Sequence, residues 1–307
     1  MKNLIITTDF SEKSDICFQI AKYFDENNFK MKSVHLDNLF EKFMKLGLGE
    51  KSHLAKVGTT DVPLYLLDEL KAQAQRLKVS PEDLNLELIK SDNFELLVDY
   101  LKQFSNDSTF ICTATRSAGM VERILFGGFI EKLIFQSSFP IIIAKKELEH
   151  KPQKIGICFD PVQDGELLLS CAESFVDSFG CAVDIIYVES FDSREIYKNV
   201  FATQTNSEKD KNNLLAYKRN LAEKKLSEYK ERFEKKGVEC DVDIVLTVGS
   251  DPATDLKEHL KANPVDFIFI EPHPGFRKSF RFNSTSYDLI KNINENFVVV
   301  GEVIDGK

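Results

Sequence analysis

The chain has 307 residues, 43% of them hydrophobic and 29% charged, with a formal net charge of −9. That length favours two domains, and the composition is ordinary for a globular chain. The acidic balance argues against a general nucleic-acid binder, which needs a basic face for phosphates, and no apolar run reaches the length of a membrane span. Asp9 and Glu12 fall where a signal peptide would be apolar, so a cytoplasmic protein is expected. The cysteines (Cys17, Cys112, Cys158, Cys171, Cys181, Cys240) form no CxxC pair and read as reduced structural thiols. The histidines (His35, His53, His150, His259, His273) share no metal-ligand spacing, so no metal site is expected.

In chain order, residues 4–8 read as a continuous apolar strand and 14–24 as an amphipathic helix, followed by a strand at 31–36. Residues 37–62 have weak periodicity and read as an irregular excursion. A helix is expected over 63–77, with Leu66, Leu67, Leu70, Ala74 and Leu77 on one face and Pro63 in its first turn. Residues 84–90 alternate like a half-buried strand; 94–104 follow as helix, 108–114 as strand, 129–136 as helix and 140–144 as a short strand. The second half runs strand 154–159, helix 166–179, strand 182–188, then a long charged helix over 209–236. That helix turns Leu214, Leu221, Leu226, Tyr229 and Phe233 inward and a solvated face outward. A strand at 238–245, a helix from Pro252, a strand at 267–270, a helix at 286–293 and a strand at 297–300 complete it.

The chain thus repeats itself. "NLIITTDFSEKSDICFQIAKYF" from Asn3 is echoed by "KIGICFDPVQDGELLLSCAESF" from Lys154, and the ends of the halves correspond as well. A repeat of about 150 residues exceeds any solenoid unit, and each copy can hold its own core. The expected domains are 1–147 and 153–304, with the boundary in the charged stretch 145–153. Strands apolar on both faces, alternating with helices, imply an α/β fold with a mainly parallel five-stranded sheet in each domain. Such sheets bind ligands beyond the carboxyl ends of their strands, at the switch in strand order. Asp9 and Asp160 stand at the end of the first strand of each half, and Ala114 and Glu271 at the end of the fourth.

The segment "ATRSAGMVERILFGGF" from Ala114, followed by "EKLIFQSSFPIIIA", resembles the glycine motif of the universal stress protein family. That motif runs Gly-x2-Gly-x9-Gly-Ser/Thr before a helix and a Pro-led last strand. With the Asp-containing loop after strand one, the resemblance covers nearly the whole chain as two tandem Rossmann-like domains. It implies a stress-response protein without catalysis, or with at most slow ATP hydrolysis. It also implies that the domains join through their last strands, 140–144 and 297–300, as an internal pseudo-dimer. A protein partner, and further dimerisation, are compatible with it.

The implied ligand is an adenine nucleotide, ATP or AMP, in domain 1, with no metal required. Glycines let a backbone approach phosphates, and N–H groups opening a helix hold anionic oxygens. Here Ala114 and Ser117 stand at the leading glycine positions, Gly127 keeps its place before Phe129, and Gly128 lacks the expected hydroxyl. Thr115 and Arg116 lie inside this segment, and Arg116 can pair phosphates. Thr7 and Thr8 are placed to reach the nucleoside, and Leu36 to meet the base through its backbone. Asp9 lies beside the nucleoside by resemblance; by local chemistry alone it is equally a helix N-terminal acid, with Ser11 a competing cap.

In domain 2 the same frame meets Glu271, Pro274, Ser284 and Thr285, of which only Thr285 matches, and Pro274 removes a donor. The adjoining "HPGFRKSFRF" carries Arg277, Lys278 and Arg281 among phenylalanines. It is either a surface loop or, with Thr285, an anion or amphiphile site. Glu271 and His273 resemble an acid–base dyad but have no nucleophile near them in sequence. Two rivals to nucleotide sensing remain: a scaffold in which both motifs have lost nucleotide, and an α-hydrolase-like enzyme. The enzyme would need a glycine-rich loop where "TTDFSEKS" stands.

Overall fold

The computed structural model describes residues 2–24, 28–36, 54–56, 64–89, 94–104, 109–115, 129–136, 139–159, 165–190, 208–247, 252–271 and 285–301. In chain order the first half forms β1 (Lys2–Thr7), α1 (Glu12–Ala21), β2 (Phe29–Leu36), β3 (Leu54–Lys56), α2 (Leu64–Leu77), β4 (Leu86–Ile89), α3 (Phe94–Leu101), β5 (Thr109–Ala114), α4 (Phe129–Gln136) and β6 (Ile141–Ala144). The second forms β7 (Lys154–Cys158), α5 (Glu166–Phe179), β8 (Ala182–Ser190), α6 (Glu208–Glu234), β9 (Cys240–Thr247), α7 (Pro252–Ala262), β10 (Phe267–Ile270), α8 (Thr285–Asn292) and β11 (Asn296–Val299). No described helix is long and apolar enough to cross a membrane.

Two compact units result: Met1–Lys151 with Asn296–Lys307, and Pro152–Glu295. The strand that sequence order assigns to the end of the second repeat therefore packs in the first unit. There β11 runs antiparallel to β6, with Phe297 opposite Ile143 and Val299 opposite Ile141. The Asn296 side chain ties β11 to the residues after β6, its Oδ1 accepting from the Lys145 and Lys146 N–H groups at 2.8 and 3.1 Å.

Within the first unit the strand order is β3-β4-β2-β1-β5-β6-β11, parallel from β4 through β6, with β3 antiparallel to β4. The chain winds outward from β1 through β2 to β4, then returns to the other side of β1 with β5. The switch in strand order thus lies between β1 and β5. Leu4–Ile6, Phe110–Cys112 and Ile141–Ala144 are buried throughout, which is why these segments read as unbroken apolar runs. The half-buried strand expected at 84–90 differs in place and burial. Leu84 ends a short 3₁₀ turn, and β4 is buried along its whole length. Its one carboxylate, Glu87, is tolerated because Lys32 Nζ on the neighbouring strand binds it at 2.8 Å. Only β3 is described within the excursion at 37–62.

The second unit orders its strands β10-β7-β8-β9, all parallel. Helix α6 turns Ala222, Leu226, Tyr229 and Phe233 to the core at helical spacing. Its outer face carries Arg219–Glu223, Lys224–Glu228 and Lys230–Glu234 pairs one turn apart, as expected of a solvated charge run. All six cysteines are buried free thiols.

Candidate functional site

Strand β1 delivers the chain to a turn of Thr8, Asp9, Phe10 and Ser11 at the switch point. Ser11 caps α1, its hydroxyl accepting from the Ser14 N–H. Asp9 is exposed, and its Oδ1 accepts from the Ser11 N–H at 3.2 Å and the Ser11 hydroxyl at 2.5 Å. Phe10 has φ of 60°, the left-handed region. A side chain there costs roughly 1–2 kcal/mol, so the turn must be held from outside. Three contacts hold it. The Phe10 N–H donates to Thr8 Oγ1 at 3.0 Å, and Arg76 Nη2 donates to the Phe10 carbonyl at 2.8 Å. The ring itself is buried among Leu66, Leu70 and Leu88 and lies 4.5 Å from the His35 ring.

Beneath the turn lies a buried polar network. Thr8 Oγ1 donates to Gln73 Oε1 at 3.1 Å and sits 3.0 Å from Ser14 Oγ. Gln73 Nε2 donates to Ser14 Oγ and to Asp15 Oδ1, and Arg76 grips both oxygens of Asp15. His35 Nδ1 donates to the Thr8 carbonyl at 2.8 Å, so that nitrogen carries the ring proton. The Thr7 hydroxyl turns to the Cys112 carbonyl. Both threonine hydroxyls thus bond within the protein, Thr8 bracing the turn and Thr7 tying β1 to β5.

Across the switch, Ala114 and Thr115 are half-buried at the carboxyl end of β5, and Leu36 is half-buried at the end of β2. The fold therefore brings Asp9, Leu36, Ala114 and Thr115 to the carboxyl ends of three adjacent parallel strands. Phe129 opens α4, half-buried. Arg116, Ser117, Gly127 and Gly128 lie outside the described residues, as do Asp160, His273, Arg277, Lys278 and Arg281. Thr285 is the first residue of α8.

Gln73 and Arg76 are absent from the sequence-derived site. A signal for Gln73 existed: it is a polar residue on the helix stripe of Leu66, Leu70 and Ala74, and it is fully buried. Nothing local marks Arg76, whose partners lie 61 and 66 residues away.

Around the end of its first strand, the described residues of the second unit have different chemistry. Aligning β1 with β7 sets Thr8 against Phe159, Ser14 against Gly165 and Asp15 against Glu166. Matching Arg76 to Arg232 sets Gln73 against Tyr229. The arginine anchor is kept: Arg232 binds Glu166 at 2.8 Å and Glu173 through two bonds of 2.6 and 3.0 Å. Burial alone would raise the Glu173 carboxyl, but Arg232 and Lys236 hold it below its ordinary range. The hydroxyl–amide network is gone. Phe159 packs 5.4 Å from the Tyr229 ring and 5.9 Å from that of Tyr187, and the Tyr229 hydroxyl presses on Gly165.

No family model and no curated protein matches the chain. Among solved structures, it is similar to a universal stress protein from Archaeoglobus fulgidus DSM 4304, with 98% of each chain covered, a TM-score of 0.61 and 16% identity. It is also similar to a functionally unknown protein, PA1789, from Pseudomonas aeruginosa PAO1, covering 98% of this chain and 93% of that one, with a TM-score of 0.53 and 9% identity. At such identities the likeness concerns the fold: the chain has the universal stress protein fold twice over, in tandem.

Proposed function

We propose that the protein is a non-catalytic, cytoplasmic stress-response protein that binds an adenine nucleotide, ATP or AMP, through its first unit. The observation that carries this reading is the contrast between the residues that end the first strand of each unit. In the first unit a braced turn presents the exposed Asp9 carboxylate, with the small residues Ala114 and Thr115 across the switch. In the second, Phe159, which takes the place of Thr8, packs against Tyr187 and Tyr229. On this reading the Asp9 carboxylate accepts from sugar hydroxyls and the Leu36 backbone meets the base. His35 has its ring on Phe10 and its Nδ1 proton on the Thr8 carbonyl, so it serves the turn rather than acid–base chemistry. On this reading occupancy alters the loops of the first unit and is read by a protein partner. The antiparallel β6–β11 pair supports an internal pseudo-dimer built on the final strands of the repeats.

The test is to purify the protein without added nucleotide, identify any small molecule released on denaturation by mass spectrometry, and titrate ATP by calorimetry. Co-purified or titrated adenine nucleotide, weakened by Asp9→Ala, is the expected result. No ligand and no heat at millimolar ATP would favour the second reading, a tandem scaffold in which both motifs have lost nucleotide.

A further inference from the structure

The second unit buries a carboxylate that no hydrogen bond serves. Asp184, third in β8, is fully buried, and neither of its oxygens has a hydrogen-bond partner. Buried carboxylates are ordinarily bonded, paired or bound to a cation. Lys154 Nζ on β7 stands 3.6 Å from Asp184 Oδ2 and 3.5 Å from Asp241 Oδ2 on β9. His259 Nε2 on α7, also without a hydrogen-bond partner, stands 3.9 Å from Asp184 Oδ2 and 3.5 Å from Asp243 Oδ2. Three carboxyl groups thus face one ammonium and one imidazole.

We infer that Asp184, Asp243 and His259 form a binding site for one divalent transition-metal ion of the zinc type. One ligand atom from each residue lies within 4.8 Å of the others. Ligands at zinc bond lengths stand about 3.3 Å apart in a tetrahedron, so the 3.5 and 3.9 Å separations from His259 need less than an ångström of closure, and the two carboxylates, within 4.8 Å of each other, close by at most about 1.5 Å. The strand register supplies the rigidity: Asp184 lies opposite Asp241 and Ile186 opposite Asp243, on neighbouring parallel strands. The Asn263 amide stands 3.5 Å from His259 Nδ1. Turned to present its oxygen, it accepts the Nδ1 proton and leaves the Nε2 lone pair for the ion. Asp243 is 42% exposed, which opens an entry path and leaves room for water as the fourth ligand. Lys154 moves off Asp184 as the ion enters and keeps its exposed partner Asp241. An imidazole among carboxylates favours zinc over magnesium, which takes all-oxygen sites. The cluster lies toward the amino ends of β8 and β9, whereas the candidate nucleotide site lies at strand carboxyl ends in the other unit. The two proposals are therefore independent.

The test titrates Zn²⁺ into the chelator-stripped full-length protein against a chromogenic chelator at neutral pH, with Mg²⁺ as comparator. His259→Gln and Asp243→Asn are measured beside it, with folding checked by circular dichroism. One Zn²⁺ per chain should bind, Mg²⁺ should not compete, and each variant should weaken zinc by at least the roughly 100-fold that outer-shell changes can reach. If His259→Gln does not fold, the more exposed Asp243→Asn decides alone. No zinc binding, equal Mg²⁺ binding, or zinc binding unchanged in a folded variant would overturn the inference.

Discussion

Arg76 holds Phe10 across 66 residues of chain: its Nη2 donates to the Phe10 carbonyl at 2.8 Å while its Nε binds Asp15 at 2.5 Å. Phe10 keeps its left-handed backbone because the guanidinium makes both bonds from one rigid plane. A lysine ends in a single nitrogen and cannot keep the geometry of bonds that leave the guanidinium from two of its nitrogens. Arg76→Lys should therefore cost about 1–3 kcal/mol in urea denaturation and weaken any nucleotide bound beside Asp9. Unchanged stability would show that the turn holds its own shape.

Gln73 links Thr8, Ser14 and Asp15, and it is fully buried. Gln73→Leu keeps most of the volume but strands polar partners, so a loss of about 1–3 kcal/mol is expected. Thr8→Val should cost less in the Gln73→Leu background than alone, because its partner is already gone. Strictly additive losses in the double-mutant cycle would mean that the two residues do not interact.

Gly165 has φ of 72°, and a Cβ added there would stand 2.8 Å from the Tyr229 hydroxyl. Gly165→Ala combines backbone strain with a clash and should destabilise by about 2 kcal/mol. Tyr229→Phe removes the clashing oxygen and should recover part of that loss, leaving the backbone portion. Equal cost of Gly165→Ala in both backgrounds, measured by thermal or urea unfolding, would locate the whole penalty in the backbone.

Burial pushes the Lys145 ammonium down to about 8, whereas an unfolded lysine titrates near 10.4. Between those values the unfolded chain binds more protons than the native one, so stability rises with pH across that window. Below about 8 both states are protonated, and the native state carries the full cost of the buried charge. The gain from pH 8 to 10.4 is at most about 3 kcal/mol. Lys145→Gln should abolish this increment, so its stability relative to the wild type should fall as pH rises. A difference that stays flat from pH 7 to 10 would rule the assignment out.

Most elements were legible because burial leaves a local trace. Phe110–Cys112 and Ile141–Ala144 are buried on both faces, so they read as unbroken apolar runs, and α6 shows its core stripe at helical spacing. The strand ends carrying Asp9, Leu36, Ala114 and Thr115 followed from the same pattern. Other features left no such trace. Glu87 within β4 looked like the outward residue of a half-buried strand until Lys32 was found beside it.

The sequence by itself determined the duplicated α/β architecture and which strand ends carry Asp9, Leu36, Ala114 and Thr115, since periodicity depends only on a segment and its own neighbours. Only the tertiary structure decided that β11 packs in the first unit, that Arg76 anchors Phe10, and that the widely spaced Asp184, Asp243 and His259 converge. Those pairings are set by how separate elements pack, and packing brings together side chains whose separation along the chain carries no record of it.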